Sequence, residues 1–351
     1  MSAPSPQTQR LSGPGSGPGG VPAAIGLSPI LSARYRQQDL ERIAAAAPGS
    51  RLVNVSMEGH AEGELDDVEV LLRGPLPMSV FDRLLLRSPR LMWVHSATAG
   101  VERVLTPLAL ERGVAITNAR GVFSDPIAEY VLMWILAVSR RLPLLLELQK
   151  ERTWQPLEGR EMADVTVGIV GLGSIGRRVA ELVLTMGGQV VATKRRADFD
   201  EAAEVEDGIM PLIDLLPADG LPELMSRSDF VVLALPLTTE TENAVNAELL
   251  AHAKPGAWLI NIARGALVDD RDLIRAVREG RLGGAVLDAF REEPLPVDSE
   301  LYSVPNIIVT PHTSWSSGRV LDRSIELFCE NLERFRRGEP LLNLVDPNAG
   351  Y

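Results

Sequence analysis

Val165-Thr-Val-Gly-Ile-Val170 is an unbroken β-prone run, and Gly171-Leu-Gly-Ser-Ile-Gly176 follows it at once. Arg177–Met186 then has helical apolar spacing and stops at Gly187-Gly188. Strand, GxGxxG and helix in direct succession constrain the fold more than any other feature of this chain. Gly171 permits the tight turn, Gly173 lets a phosphate approach the backbone, and Gly176 lets helix and strand pack closely. Free N–H groups and the dipole at the helix start favour an anion. The block therefore predicts a dinucleotide site. In such sites an acid about 20 residues on binds the ribose hydroxyls of NAD. Here the strand Gln189–Thr193 runs instead into Lys194-Arg195-Arg196. A cationic cluster suits the extra 2′-phosphate of NADP, so NADP is expected in preference to NAD. The competing reading is a solvated basic turn, partly neutralised by Asp198, Asp200 and Glu201.

The same alternation runs along most of the chain. Candidate strands are Arg51–Val55, Val68–Leu72, Leu91–Val94 and Ala115–Asn118, with helices over Gln37–Ala47, Val80–Arg87 and Val101–Arg112. Pro126–Arg140 reads as one apolar helix with Pro126 in its first turn. A second series has strands Val165–Val170, Gln189–Thr193, Phe230–Leu235, Ala257–Asn261, Ala285–Asp288 and Ile307–Thr310, and a last amphipathic helix covers about Arg319–Arg337. Strands separated by helices imply parallel pairing and an α/β layer structure. At 351 residues two domains are expected.

Composition excludes several classes. Lys+Arg 35 against Asp+Glu 47 gives a net charge of −12, which argues against nucleic acid or an anionic membrane as partner. A single cysteine, Cys329, excludes a disulfide framework and a multi-cysteine metal site, and fits a reducing, cytoplasmic setting. The four histidines are scattered, so no metal is expected. Residues 1–21 are rich in Gly, Pro and Ser without an apolar run and read as a disordered tail. No stretch reaches the roughly 18 apolar residues of a membrane span.

In a parallel sheet, ligands lie beyond the carboxyl ends of the strands. After Trp258-Leu-Ile-Asn261 comes Ile262-Ala-Arg264-Gly265. After Ala285-Val-Leu-Asp288 comes a turn carrying Glu293-Pro294. After Ile307-Ile-Val-Thr310 comes Pro311-His312-Thr313-Ser314. An arginine can hold a carboxylate through two parallel N–H bonds, and a histidine can exchange a proton near neutral pH. A glutamate beside that histidine would orient it and favour its charged form. Each residue alone has an ordinary reading as surface charge or structural side chain. Together, on one sheet beside a dinucleotide loop, they point to catalysis.

These segments resemble the D-isomer-specific 2-hydroxyacid dehydrogenase family, glyoxylate/hydroxypyruvate reductase-like and short, without a regulatory domain. The matching stretches are GLGSIG (171–176), LPLTTET (235–241), NIARGALVD (261–269), GAVLDAFREEPLP (284–296) and TPHTSW (310–315). The resemblance implies two doubly wound parallel-sheet domains: a Rossmann cofactor domain, 123–318, inserted in a flavodoxin-like substrate domain, 22–122 plus 319–351. It places the catalytic Arg, Glu and His on Arg264, Glu293 and His312. It implies cofactor contacts at Gly171, Gly173, Ser174, Ile175, Gly176, Lys194, Arg195, Arg196, Leu235, Pro236, Ile262, Asp288 and Ser314, with Asp288 at the nicotinamide amide. Ser96-Ala-Thr-Ala-Gly-Val101 resembles the family's carboxylate loop, so Thr98, Ala99 and Gly100 are expected at the substrate with Arg264 and His312.

Three departures stand out. Lys194 replaces the acid of NAD-specific members, Ala289 stands where Val is usual, and Asp125-Pro126 could shift the start of the first hinge helix. Formate dehydrogenases carry Gln in place of the catalytic Glu, so Glu293 points away from that activity. The implied reaction is hydride transfer between NAD(P)H and C2 of a small 2-oxo acid, giving a D-2-hydroxy acid, in a homodimer. The rival is a non-catalytic, dinucleotide-sensing, corepressor-like protein of the same fold. Substrate choice is expected to depend on Arg73-Gly-Pro-Leu76, Trp93, Trp154 and Trp315.

Overall fold

The computed structural model describes residues 19–30, 35–194 and 208–346. The chain divides into two compact units, Met1–Phe123 with Ser317–Tyr351, and Ser124–Ser316. Of the expected tail, 1–18 lies outside the described residues; within the remainder, Gly20 N donates to Arg336 O at 2.7 Å.

In the first unit, β1 (Ala24–Leu27), β2 (Arg51–Asn54), β3 (Val68–Arg73), β4 (Trp93–Ser96) and β5 (Ala115–Asn118) form a parallel sheet in the order β2-β1-β3-β4-β5. This is the flavodoxin-like order. All six residues of β3 are buried, as a central strand covered on both faces requires. One face packs Leu71, Phe81, Leu84 and Val94. The other packs Ile25, Leu27, Leu72 and Trp93 against the C-terminal helix Val320–Arg337. That helix presents Ile325, Phe328, Leu332 and Phe335 at three- and four-residue spacing, one face of a helix. Trp93, 0% exposed, stacks on Phe328 and Phe335 with ring centroids 5.5 and 5.6 Å apart. Truncating a core aromatic of this kind costs roughly 3–5 kcal/mol.

In the second unit, β6 (Thr166–Val170), β7 (Gln189–Thr193), β8 (Ile213–Leu216), β9 (Phe230–Leu233), β10 (Trp258–Asn261), β11 (Gly284–Leu287) and β12 (Ile307–Val309) form a wholly parallel sheet. Its order, β12-β11-β10-β9-β6-β7-β8, is that of a Rossmann fold, with the switch point between β6 and β9. Among the described residues no helix is long and apolar enough to cross a membrane.

Several elements differ from expectation. Two strands escaped the sequence pattern: β1, a four-residue Ala-Ile-Gly-Leu run, and the edge strand β8, set between prolines 211 and 217. The helix expected over Val101–Arg112 is confined to Pro107–Glu111. Thr106 precedes proline, which disfavours the helical region, and its side chain caps the Ala109 N–H instead. The strand expected over Phe230–Leu235 ends at Leu233. The hinge helix spans Ser124–Ser139, so Pro126 sits within its first turn.

His95 on β4 is fully buried. Its Nδ1 lies 2.8 Å from Thr117 Oγ1, which also accepts from Trp93 Nε1, and its Nε2 has no hydrogen-bond partner among the described residues. Burial pushes its pKa down to about 3 from an ordinary 6.5. Between those values the unfolded chain binds a proton that the folded chain refuses, so stability rises with pH. Unfolding free energy should therefore fall by up to ~1.4 kcal/mol per pH unit as pH drops from 6.5 toward 3. Urea midpoints of wild type and His95→Gln check this. The variant should show a shallower pH slope; parallel slopes would contradict a neutral His95.

Candidate active site

The seven-stranded sheet brings its carboxyl ends together, and β10, β11 and β12 are adjacent. The turns after them carry Arg264, Glu293 and His312. His312 Nδ1 lies 2.8 Å from Glu293 Oε2 and 3.0 Å from Oε1. Glu293 Oε1 also accepts from the Phe290 N–H at 2.9 Å, so the carboxylate is fixed by its own turn. The two side chains are 37% and 39% exposed, leaving the outer edge of the imidazole within reach of a ligand.

Arg264 follows β10 and is half-buried, with Nη1 on the Ala263 carbonyl at 2.9 Å. Asn261, 1% exposed, ties the turn: its Nδ2 donates to Arg264 O at 2.9 Å and its Oδ1 accepts from Ala263 N at 3.1 Å. A Cβ on Gly265 would fall 2.0 Å from Phe290 C, so only glycine allows this turn to lie against the segment after β11. Sequence reading missed Asn261 and Gly265, although both stand in the Asn261–Gly265 stretch.

Asp288 has no exposed surface. Its Oδ1 accepts from Thr310 Oγ1 at 2.7 Å and Thr313 N at 2.9 Å, and its Oδ2 from Ser314 N at 2.9 Å. It therefore ties down the turn that carries His312, a task the sequence did not reveal. Ser314, expected at the cofactor, is buried with its N–H committed to Asp288.

The glycine loop leaves β6 as expected. Gly171 has φ +99°, and a Cβ there would meet Ala234 O at 2.9 Å. A Cβ on Gly176 would meet Gly171 O at 2.3 Å. Gly173, exposed, has nothing within 4 Å of the same position and is the N-cap of the helix Ser174–Thr185. Open space beside a cap residue and the free N–H groups of the first turn fit a dinucleotide phosphate. Leu235 is half-buried and Pro236 exposed after β9, and Ile262 is buried after β10. Lys194 directly follows β7, whereas Arg195 and Arg196 lie outside the described residues.

In the other unit the loop after β4 is tied by its carbonyls. Ala119 N donates to Thr98 O at 3.1 Å, Asn118 Nδ2 to Ala99 O at 2.9 Å, and Thr98 Oγ1 to Gly100 O at 2.9 Å. Thr98, Ala99 and Gly100 are themselves half-buried.

Most of the residues expected to shape the substrate pocket do other work. Arg73 is 1% exposed, lies 4.9 Å over the Phe81 ring and donates to the Gly74, Leu76 and Arg103 carbonyls. Burial, with Arg103 nearby, lowers its pKa to about 10. Trp93 belongs to the core, and Trp154 is 98% exposed. Trp315 is half-buried, three residues past His312.

Comparison with known proteins finds relatives over most of the chain. The family profile described as D-isomer specific 2-hydroxyacid dehydrogenase, NAD binding domain, matches residues 132–314. A glyoxylate reductase of Korarchaeum cryptofilum is 33% identical over 291 residues, covering 81% of this chain and 83% of its own. A D-isomer specific 2-hydroxyacid dehydrogenase from Xanthobacter autotrophicus, solved with NADPH and MES, superimposes with TM-score 0.81 at 32% identity over 94% of this chain and 100% of its own. An NADPH-dependent glyoxylate/hydroxypyruvate reductase from Sinorhizobium meliloti, solved with NADP and sulfate, gives TM-score 0.77 at 29% identity over 93% of this chain and 100% of its own. With the strand order, the glycine loop and the strand-end residues already in place, these matches identify the chain as a member of the D-isomer specific 2-hydroxyacid dehydrogenase family.

Proposed function

We infer that this oxidoreductase uses NAD(P)H to reduce the C2 carbonyl of a small 2-oxo acid to a D-2-hydroxy acid, with His312 as proton donor. The observation that carries the reading is the His312–Glu293 pair, 2.8 Å apart, at the carboxyl edge of a sheet that also presents Arg264 and the glycine loop. When bound, the reduced nicotinamide supplies the hydride. The chain's own residues supply placement and charge. Arg264 holds the substrate carboxylate through paired N–H bonds, and Thr98, Ala99 and Gly100 offer backbone N–H groups to it. Glu293 accepts from Nδ1 of His312 and so aims Nε2 outward to protonate the carbonyl oxygen. In the reverse direction neutral His312 takes the proton back.

Gly171, Gly173, Ser174, Ile175 and Gly176 hold the pyrophosphate, with Leu235, Pro236, Ile262 and Ser314 lining the cofactor. We propose that the nicotinamide amide binds beside Asp288, whose Oδ2 accepts the Ser314 N–H. Lys194, Arg195 and Arg196 favour NADPH over NADH, a reading supported by the NADPH and NADP in the two related structures. Glyoxylate and hydroxypyruvate are the proposed substrates, after the names of the relatives. We propose a cytoplasmic homodimer. Its contact would include Leu142, Leu144, Leu145 and Leu146, exposed on a helix that buries none of its residues. No observation favours the corepressor-like reading.

Steady-state kinetics with these two acids and both cofactors test the proposal. Wild type should show kcat/KM about tenfold or more higher with NADPH, the effect of one charge-assisted contact. His312→Ala should lower kcat by about two to four orders of magnitude while the fold persists. Near-wild-type turnover in that variant would remove His312 from the mechanism, and an NADH bias would remove the basic turn from cofactor choice.

The glycines make a separate prediction. Gly173→Ala should leave the melting temperature unchanged yet weaken NADPH binding about tenfold or more, because the added methyl occupies space meant for phosphate. Gly176→Ala should instead destabilise the fold by about 1–3 kcal/mol through overpacking. Fluorescence titration with NADPH, alongside thermal melts, separates the two effects.

A further inference from the structure

His312 has φ +49°, a left-handed conformation that costs a non-glycine residue about 1–3 kcal/mol and persists only where surroundings enforce it. Its own N–H donates to Thr310 O at 2.9 Å, closing a tight turn. What brackets this residue is Asp288. The carboxylate takes the N–H groups of Thr313 and Ser314, the two residues after His312, and the hydroxyl of Thr310, two residues before it. The bracket does not end at Asp288. Tyr130 Oη lies 2.5 Å from Thr310 Oγ1.

The direction of this chain follows from the number of protons. The Thr310 hydroxyl has one, given to Asp288, so Tyr130 donates to the Thr310 oxygen. Burial raises the pKa of the Tyr130 phenol and keeps that proton in place. Tyr130 belongs to the hinge helix Ser124–Ser139 and packs edge-on against Trp134, at 6.3 Å between ring centroids. A rigid helix thus reaches the strained turn through two hydroxyls and one carboxylate.

We propose that Tyr130 is a positioning residue for His312, acting through Thr310 and Asp288 to hold the turn in the conformation that directs the imidazole. This rests on the reading of His312 as proton donor. It assigns a role to two residues, Tyr130 and Thr310, that touch no reacting atom.

Tyr130→Phe removes only the hydroxyl. It should lower kcat about three- to tenfold, the effect of one hydrogen bond, with KM for NADPH within about twofold of wild type. Thr310→Val should do the same, the double variant should be no worse than the weaker single variant, and Thr310→Ser should restore turnover because it keeps the hydroxyl. Imidazole NMR signals give a readout independent of catalysis. In Tyr130→Phe the His312 signals should shift while those of His60 and His252 stay fixed. An unmoved His312 signal, or additive losses in the double variant, overturns the proposal. If Tyr130→Phe does not fold, the Thr310 Val and Ser variants decide it alone. A shifted His312 signal with unchanged turnover would uphold the placement and sink the reading of His312 as proton donor.

Discussion

Parallel pairing throughout β6–β12 obliges each connection to return across a face of the sheet, so the carboxyl ends of the strands share one edge. Residues far apart in sequence become neighbours there without any long-range recognition of their own. Gly171–Gly176 leaves β6, Arg264 leaves β10, Asp288 and Glu293 follow β11, and His312 follows β12. The order of the last three strands then sets which side chains can meet. Glu293 reaches His312 because β11 and β12 pair, and the Arg264 turn lies against Phe290 because β10 and β11 pair and position 265 is glycine.

Strain and its restraint account for the fine geometry. The backbone of His312 occupies a region that only an over-determined turn can enforce. A buried carboxylate does the enforcing, which resolves two requirements at once. The N–H groups of Thr313 and Ser314 need acceptors, and Asp288, without solvent, needs donors. Each satisfies the other, and the His312 imidazole gains a fixed direction. The exposed Glu293 then needs only to meet Nδ1.

The layer architecture and the strand-end residues were legible because they rest on local pattern: short continuous apolar runs separated by amphipathic stretches, a glycine fingerprint, and polar residues directly after strands. Position along the chain was enough to bring Arg264, Glu293 and His312 to one edge. What the sequence hid depends on tertiary partners. Nothing local distinguishes Tyr130 from an ordinary aromatic on an apolar helix, and its partner Thr310 lies 180 residues away. Asp288 reads as a polar residue ending a strand until its donors are seen. Trp93 and Arg73, expected at the substrate, serve the fold instead: helix Val320–Arg337 covers Trp93 and three carbonyls engage Arg73. β1 contains Gly26 and lies between Pro22 and Pro29, and β8 lies between Pro211 and Pro217, punctuation that reads as loop.

The central claim is hydride transfer from the reduced nicotinamide to C2 of a 2-oxo acid with a fixed handedness. The most direct measurement uses NADPH carrying deuterium at both C4 positions of the nicotinamide, with hydroxypyruvate as substrate and chiral analysis of the product. The account predicts deuterium at C2 of a product that is entirely the D-2-hydroxy acid. Product without deuterium at C2, product of L or mixed configuration, or cofactor bound without any turnover would contradict it.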